Sequence, residues 1–170
     1  LLELGRVGRE LAADGSIRAV VLTGTGNQAF CSGADLKERR GMSNDEVRRQ
    51  LALYRTELGW LESFPAPVAA AINGLALGGG LELSLFCDLR VAAEHAILGL
   101  PETTLGVIPG AGGTQRLPRL IGEARAKELL LLGRRINAAH ALAIGLVNRV
   151  CRPGTNVLDD TLDWLRPVVD

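Results

Sequence analysis

Aromatic side chains are scarce in this 170-residue chain, with three Phe, two Trp and one Tyr. A core of this composition has to be aliphatic, drawn from Leu, Val, Ile and Ala. Cysteine is sparse as well. Cys31, Cys87 and Cys151 are an odd number at wide spacing, which excludes a disulfide framework, and no Cys-x-x-Cys pair or Cys/His cluster offers a metal site. The two histidines, His95 and His140, stand in no ligand motif. A reducing compartment is the expectation. Neither sign of charge is in excess, with 19 basic and 19 acidic residues. That balance excludes a strongly basic nucleic-acid binder and an acidic disordered chain. A long apolar run is missing too. The most apolar window, Val68 to Phe86, is interrupted by Asn73, four glycines and Glu82. One charge at mid-membrane costs about 2.5–3.5 kcal/mol on insertion scales, so the window reads as a soluble core segment. Nothing with the marks of a signal peptide opens the chain.

Glycine is plentiful. Its 21 occurrences exceed the usual share of about 7%, and nine fall between Gly74 and Gly113. Backbone geometry is specialised in that stretch. The chain starts without Met inside an amphipathic pattern (Leu1, Leu4, Val7, Leu11) and stops at Asp170 inside another. A longer natural chain is therefore expected.

Apolar periodicity predicts a helix over Leu2–Ala13, a buried strand over Ala19–Thr23 and a turn-rich loop from Gly24 to Gly33. A charged helix is expected from Asn44 to Glu62, presenting Val47, Leu51, Tyr54, Leu58 and Leu61 on one face. Strands at Val68–Ile72 and Leu89–Ala93 flank a helix at Gly80–Cys87, and a short strand lies near Ile97. A helical turn opens at Pro101, and a long loop spans Gly106–Gly113. Helices at Thr114–Leu120, Glu123–Leu132 and Ala138–Ile144, a strand at Val147–Val150 and a last helix complete the chain. Strands alternating with helices imply an α/β fold with a largely parallel sheet. No linker divides the chain, so one domain, residues 1–170, is expected.

Three places could carry chemistry. Gly78-Gly-Gly80-Leu-Glu82 opens a helix after a strand, where free N–H groups and the helix dipole suit an anion or oxyanion. A tight turn would use the same glycines. Glu82 lies among Leu81, Leu83, Leu85 and Phe86. There a carboxyl group either favours the helix dipole or, desolvated, titrates near neutrality as an acid–base group. Pro101-Glu102 is an ordinary helix start that places a second first-turn carboxyl group beside another glycine-rich loop. Paired carboxylates can share one water, one activating it while the other supplies a proton. The third place is Phe30-Cys-Ser-Gly-Ala-Asp-Leu-Lys37, where Ser32 and Asp35 have capping-box spacing with Asp for the usual Glu. Gly24 and Gly26 lack the third glycine of a dinucleotide fingerprint, and no loop ends in the Gly-Lys-Ser/Thr of a phosphate loop. Between Glu38 and Glu57, five arginines (39, 40, 48, 49, 55) meet four acids. That is a solvated face rather than an RNA-binding stripe.

Several long motifs occur in one order. They are Pro67-Val-Ala-Ala-Ala-Ile-Asn-Gly-Leu-Ala-Leu-Gly-Gly-Gly-Leu-Glu-Leu83, Cys87-Asp-Leu-Arg90, Pro101-Glu102 and Ile108-Pro-Gly-Ala-Gly-Gly-Thr-Gln-Arg116. With them the chain resembles the enoyl-CoA hydratase/isomerase (crotonase) family over roughly residues 17–150. The run from Phe30 to Arg39 is most similar to the methylglutaconyl-CoA hydratase-like subgroup, which includes an RNA-binding member. The resemblance implies a ClpP/crotonase fold of repeated ββα turns around a spiral core, here without its N-terminal strands and C-terminal helices. It implies an oxyanion hole from the amides of Ala34 and Gly79, and Glu82 and Glu102 as the catalytic pair. Ser32, Ala34, Asp35, Leu36, Lys37 and Gly79 would bind the CoA thioester. That thioester is the substrate, and no separate cofactor is implied. A homotrimer or dimer of trimers, in a bacterial cytoplasm or a mitochondrial matrix, completes the expectation. Hydration of a 2-enoyl-CoA in fatty-acid or branched-chain amino-acid catabolism is the leading reading. An isomerase or other acyl-CoA lyase is the alternative within the family. An RNA-binding or inactive acyl-CoA-binding module is the alternative outside it.

Overall fold

A computed structural model of the chain describes residues 1–169. Helix α1 (Leu2–Ala12) precedes strands β1 (Val20–Thr23) and β2 (Ala29–Cys31), then helices α2 (Leu36–Arg40), α3 (Asn44–Leu58) and α4 (Trp60–Ser63). Strands β3 (Val68–Ile72) and β4 (Leu75–Leu77) lead into α5 (Gly79–Leu85), and β5 (Leu89–Ala92) and β6 (Ile97–Gly99) into a 3-10 turn at Pro101–Leu105. Helices α6 (Gly113–Ile121) and α7 (Glu123–Leu132), β7 (Arg135–Asn137), α8 (Ala138–Ala143), β8 (Arg149–Val150) and α9 (Val157–Val169) follow.

The strands separate into two sheets. One has the order β1-β3-β5-β8 and is wholly parallel. The other is β2-β4-β6-β7, parallel except for the last pair. Each of the first three chain turns thus gives its first strand to one sheet and its second to the other before a helix returns, and β7 and β8 join the two sheets in the reverse order on either side of α8. This is the ββα spiral that the resemblance implied, and it replaces the single sheet inferred from periodicity. Strand β3 is buried along its whole length, with Ala69, Ala70 and Ala71 allowing its neighbours close. Around it Leu58, Leu61, Leu81, Val91, Leu98, Leu100, Leu117 and Leu146 form one aliphatic core.

Several expected elements are corrected. The Gly24–Gly33 loop contains β2, and the glycine-rich stretch after Ile72 contains β4. β7 was not anticipated, and β8 is only Arg149–Val150. The charged helix is divided at Gly59, where a Cβ would stand 2.7 Å from the Arg55 carbonyl oxygen. The segment from Glu38 to Glu57 is also not continuous, since α2 ends at Arg40 and α3 begins at Asn44. The true capping box is Ser43 with Glu46. Among the described residues, no helix is long and apolar enough to cross a membrane.

Candidate active site

The site begins where β2 passes the start of α5. Asn73, immediately after β3, organises the preceding loop. Its Nδ2 donates to the carbonyls of Gly24 (2.9 Å) and Gly26 (2.8 Å), and its Oδ1 accepts from the Gly24 amide. The end of β2 then lies directly against α5. A Cβ on Gly80 would stand 1.8 Å from the Cys31 carbonyl oxygen, so only glycine allows this approach. Gly33, at φ +92°, would place a Cβ 3.1 Å from the Gly79 nitrogen, and a Cβ on Gly79 would lie 3.8 Å from the Ala34 nitrogen. The two glycine-rich turns therefore interlock, which brings Ala34 beside Gly79.

That junction opens on a cavity of about 560 Å³, whose wall includes Ala34, Asp35, Gly79, Tyr54, Leu83 and Cys31. Ser32, Leu36 and Lys37 are exposed and outside this wall. The expected Ser32–Asp35 capping box does not form. Asp35 is itself the N-cap of α2, its carboxylate accepting from the Lys37 amide at 2.8 Å, because the helix begins one residue later. The cavity wall also includes neither glutamate.

The two carboxyl groups sit on the other features of the α5 start. Glu82 is 3% exposed, and its Oε1 accepts from the amides of Ala111 (2.8 Å) and Gly113 (2.7 Å). Burial pushes its pKa up, opposed by those amides and by the nearby Arg116 guanidinium. Glu102, in the 3-10 turn, lies against Gly78, where a Cβ would be 3.0 Å from its Oε1. Its Oε2 is buried without a hydrogen-bond partner. Burial raises its pKa first, its own backbone amide pulls it back, and the Glu82 charge raises it again, against a smaller pull from Arg39. One carboxylate thus accepts from two amides of a facing segment, and the other keeps one buried oxygen without a partner. An asymmetric pair of this kind separates a base from an acid. Among the described residues, no three His, Cys, Asp or Glu side chains are grouped to hold a metal ion.

Sequence reasoning overlooked three contributors. Tyr54 is half-buried on α3, and its hydroxyl lies 4.0 Å from where a Gly79 Cβ would be. Burial, then the Glu82 charge, raises its pKa. The Ala111 and Gly113 amides were read only as part of a long loop. Arg90, from the Cys-Asp-Leu-Arg motif, is 4% exposed and donates to the carbonyls of Leu146, Ser84, Cys87 and Asp88 at 2.7–3.3 Å. It closes the C-terminal end of α5, while Asp88 accepts from the Val68 amide at 2.9 Å.

A double-sheet spiral with one buried and one half-buried glutamate beside interlocked glycine turns defines a class of protein. The match of residues 1–170 to the family model for enoyl-CoA hydratase/isomerase places the chain in that family. YngF of Bacillus subtilis is 56% identical over 153 residues, which are 90% of this chain and 59% of that protein. A mitochondrial methylglutaconyl-CoA hydratase 1 of Pyricularia oryzae is 47% identical over 152 residues, or 88% of this chain and 44% of the relative. The crystal structure of an enoyl-CoA hydratase from Bacillus anthracis superposes with a TM-score of 0.93 at 52% identity, covering 98% of this chain and 64% of that one. The fold is the crotonase fold, and the chain spans about half to two thirds of these relatives' lengths.

Proposed function

We propose that the protein carrying this chain is an enoyl-CoA hydratase that adds water syn across the double bond of a 2-enoyl-CoA thioester. The observation that carries this reading is the unequal pair of carboxyl groups, Glu82 buried and Glu102 half-buried. Glu82 has two amide donors and a nearby cation to support its ionised form. Glu102 has a buried oxygen without a donor and a neighbouring negative charge, which support its protonated form. Glu82 takes a proton from water as the oxygen bonds to the β-carbon, and the electron pair moves to the thioester oxygen. The Ala34 and Gly79 amides hold that developing charge, and a preorganised donor of this kind contributes roughly 3–4 kcal/mol in comparable sites. Glu102 then delivers its proton to the α-carbon.

The Ser32–Lys37 segment leads from this oxyanion pair and would carry the CoA portion, with the thioester as substrate and no added cofactor. The complete protein would assemble as a homotrimer or dimer of trimers, in the cytoplasm or a mitochondrial matrix. Fatty-acid or branched-chain amino-acid catabolism is the setting for such a hydration. The test is turnover of a 2-enoyl-CoA by the full-length protein with Glu82→Gln and Glu102→Gln. Each change should lower kcat by about 10²–10⁴, the usual contribution of general acid–base catalysis. Wild-type rates in both variants would exclude the hydratase. A double-bond isomerase would instead convert a 3-enoyl-CoA and tolerate loss of one of the two glutamates.

A further inference from the structure

Glu82 does not hold its own position. Its Oε1 rests on the amides of Ala111 and Gly113, the first in the loop between the 3-10 turn and α6 and the second at the first residue of α6. That loop exposes Val107 and Ile108 and is anchored by the buried Pro109 and Ala111. One long side chain reaches back over it from α6. The Arg116 guanidinium donates through Nη1 to the Ala111 carbonyl at 3.2 Å. Its Nε and Nη2 form a two-pronged pair with the Glu62 carboxylate of α4, at 2.8 and 2.9 Å. Its central carbon stands 3.6 Å above the centre of the Phe86 ring, just beyond α5. Gly112, at φ +101°, leaves the space the guanidinium fills, because a Cβ there would be 2.0 Å from Nη1.

We propose that Arg116 is a positioning residue for Glu82. Its guanidinium pins the Ala111 carbonyl and, through that peptide, the two amides that grip the Glu82 carboxylate. A planar fork held at both prongs and stacked on a ring has little freedom left, which suits a clamp better than a flexible ammonium group does. The groups that face Glu82 electrostatically are Arg116 from α6, Glu102 from the 3-10 turn and Tyr54 from α3. Arg116 is the only cation of the three, and it favours the ionised carboxylate. Glu62 stands behind Arg116 and fixes where that charge sits. The proposal rests on Glu82 acting as the base of the reaction above.

The experiment uses the full-length protein with Arg116→Met, which keeps an apolar stem over Phe86, and with Arg116→Lys, which keeps the charge. In Arg116→Met, kcat should fall about 10–100-fold with KM changed less than about threefold, since a loosened base misplaces the attack without weakening thioester binding. The acid limb of kcat/KM against pH should also move to higher pH. Arg116→Lys should return that limb to its wild-type place while kcat stays between the other two. An unmoved acid limb with kcat within twofold of wild type in Arg116→Met would overturn the proposal. Should that variant not fold, hydrogen exchange in Arg116→Lys decides. Loss of the fork must expose the Ala111 and Gly113 amides about tenfold, and wild-type protection would overturn the clamp. A wild-type rate in Glu82→Gln would instead remove the catalytic reading, while the exchange measurement still reports on the clamp.

Discussion

Gly80→Ala tests whether the close approach of β2 to α5 sets the geometry of the proposed oxyanion pair. The new Cβ would stand 1.8 Å from the Cys31 carbonyl oxygen, 2.5 Å from its carbon and 2.9 Å from the Cys31 Cβ. Ordinary contact begins near 3.4 Å, so the strand and helix must separate by about 1.6 Å. The obstacle is backbone, and no rotamer change relieves it. Helix propensity favours Ala over Gly by about 0.8–1 kcal/mol. Overpacking of this kind costs about 1–3 kcal/mol, with a clash against backbone in the upper half of that range. The net loss is about 1–2 kcal/mol, or a Tm drop of roughly 2–8 °C for a protein of this size. Activity should suffer more than stability. Ala34 follows Cys31 by three residues and shares the junction with Gly79, and a misplacement of about 1 Å at a reacting centre costs about 100-fold. Steady-state hydration of a 2-enoyl-CoA by the full-length protein should therefore show kcat/KM down by roughly that factor. Gly15→Ala is the control, because no atom lies within 4 Å of its added Cβ. A Gly80→Ala protein with kcat/KM within threefold of wild type and an unchanged Tm would refute the reasoning.

Two further substitutions separate what the buried charges do. In Glu82→Gln the amide oxygen still accepts from Ala111 and Gly113, but nothing remains to ionise. The folded state raises the Glu82 pKa above its ordinary 4.5, so it binds the proton more tightly than the unfolded chain. Ionisation then removes stability as pH climbs through 4.5 toward the folded value. The Tm advantage of Glu82→Gln over wild type should grow over that interval and then level off, and an offset constant from pH 4 to 8 would contradict this. Arg90→Met should do the opposite to the scaffold. It leaves carbonyls of Leu146 and Cys87 without their donor, at about 1–3 kcal/mol for each stranded buried group. A loss near 3 kcal/mol lowers Tm by roughly 6–12 °C, and a change below 2 °C in a melting curve would show that water or another donor replaces the guanidinium.

The parts of this fold that could be read in advance are those whose signal is local. The continuous apolar run of Val68–Ile72, the one-sided stripe of α3 and the glycines before Glu82 all announce their elements. β2, β4 and β7 do not, for each is three residues long and pairs only with strands distant in sequence. No window of residues is long enough to show a period of two there. The second sheet therefore came from resemblance alone. The site divides in the same way. Both glutamates stand in recognisable motifs, but Glu82 is held by backbone amides 29 and 31 residues away. An amide belongs to every residue except proline, so sequence holds no mark of which ones will be donors. Arg116 was visible as part of Thr-Gln-Arg, but the partners that give it a role lie on α4 and next to α5.

Helix α5 shows why the two buried charges have different explanations. It is seven residues long, about 10 Å, too short to be stable without support at its ends. Arg90 supplies that support at the C-terminal end, where a cation complements the helix dipole and its donors meet carbonyls the helix leaves unpaired. Burial lowers the Arg90 pKa, yet every bond it makes serves the scaffold. Glu82 sits in the first turn of the same helix, and its amide bonds to Ala111 and Gly113 would survive replacement by the neutral glutamine. The scaffold needs an oxygen acceptor at that position, not a charge. A carboxylate placed there against its desolvation cost is what the proposed proton transfer requires, since an amide oxygen cannot perform it.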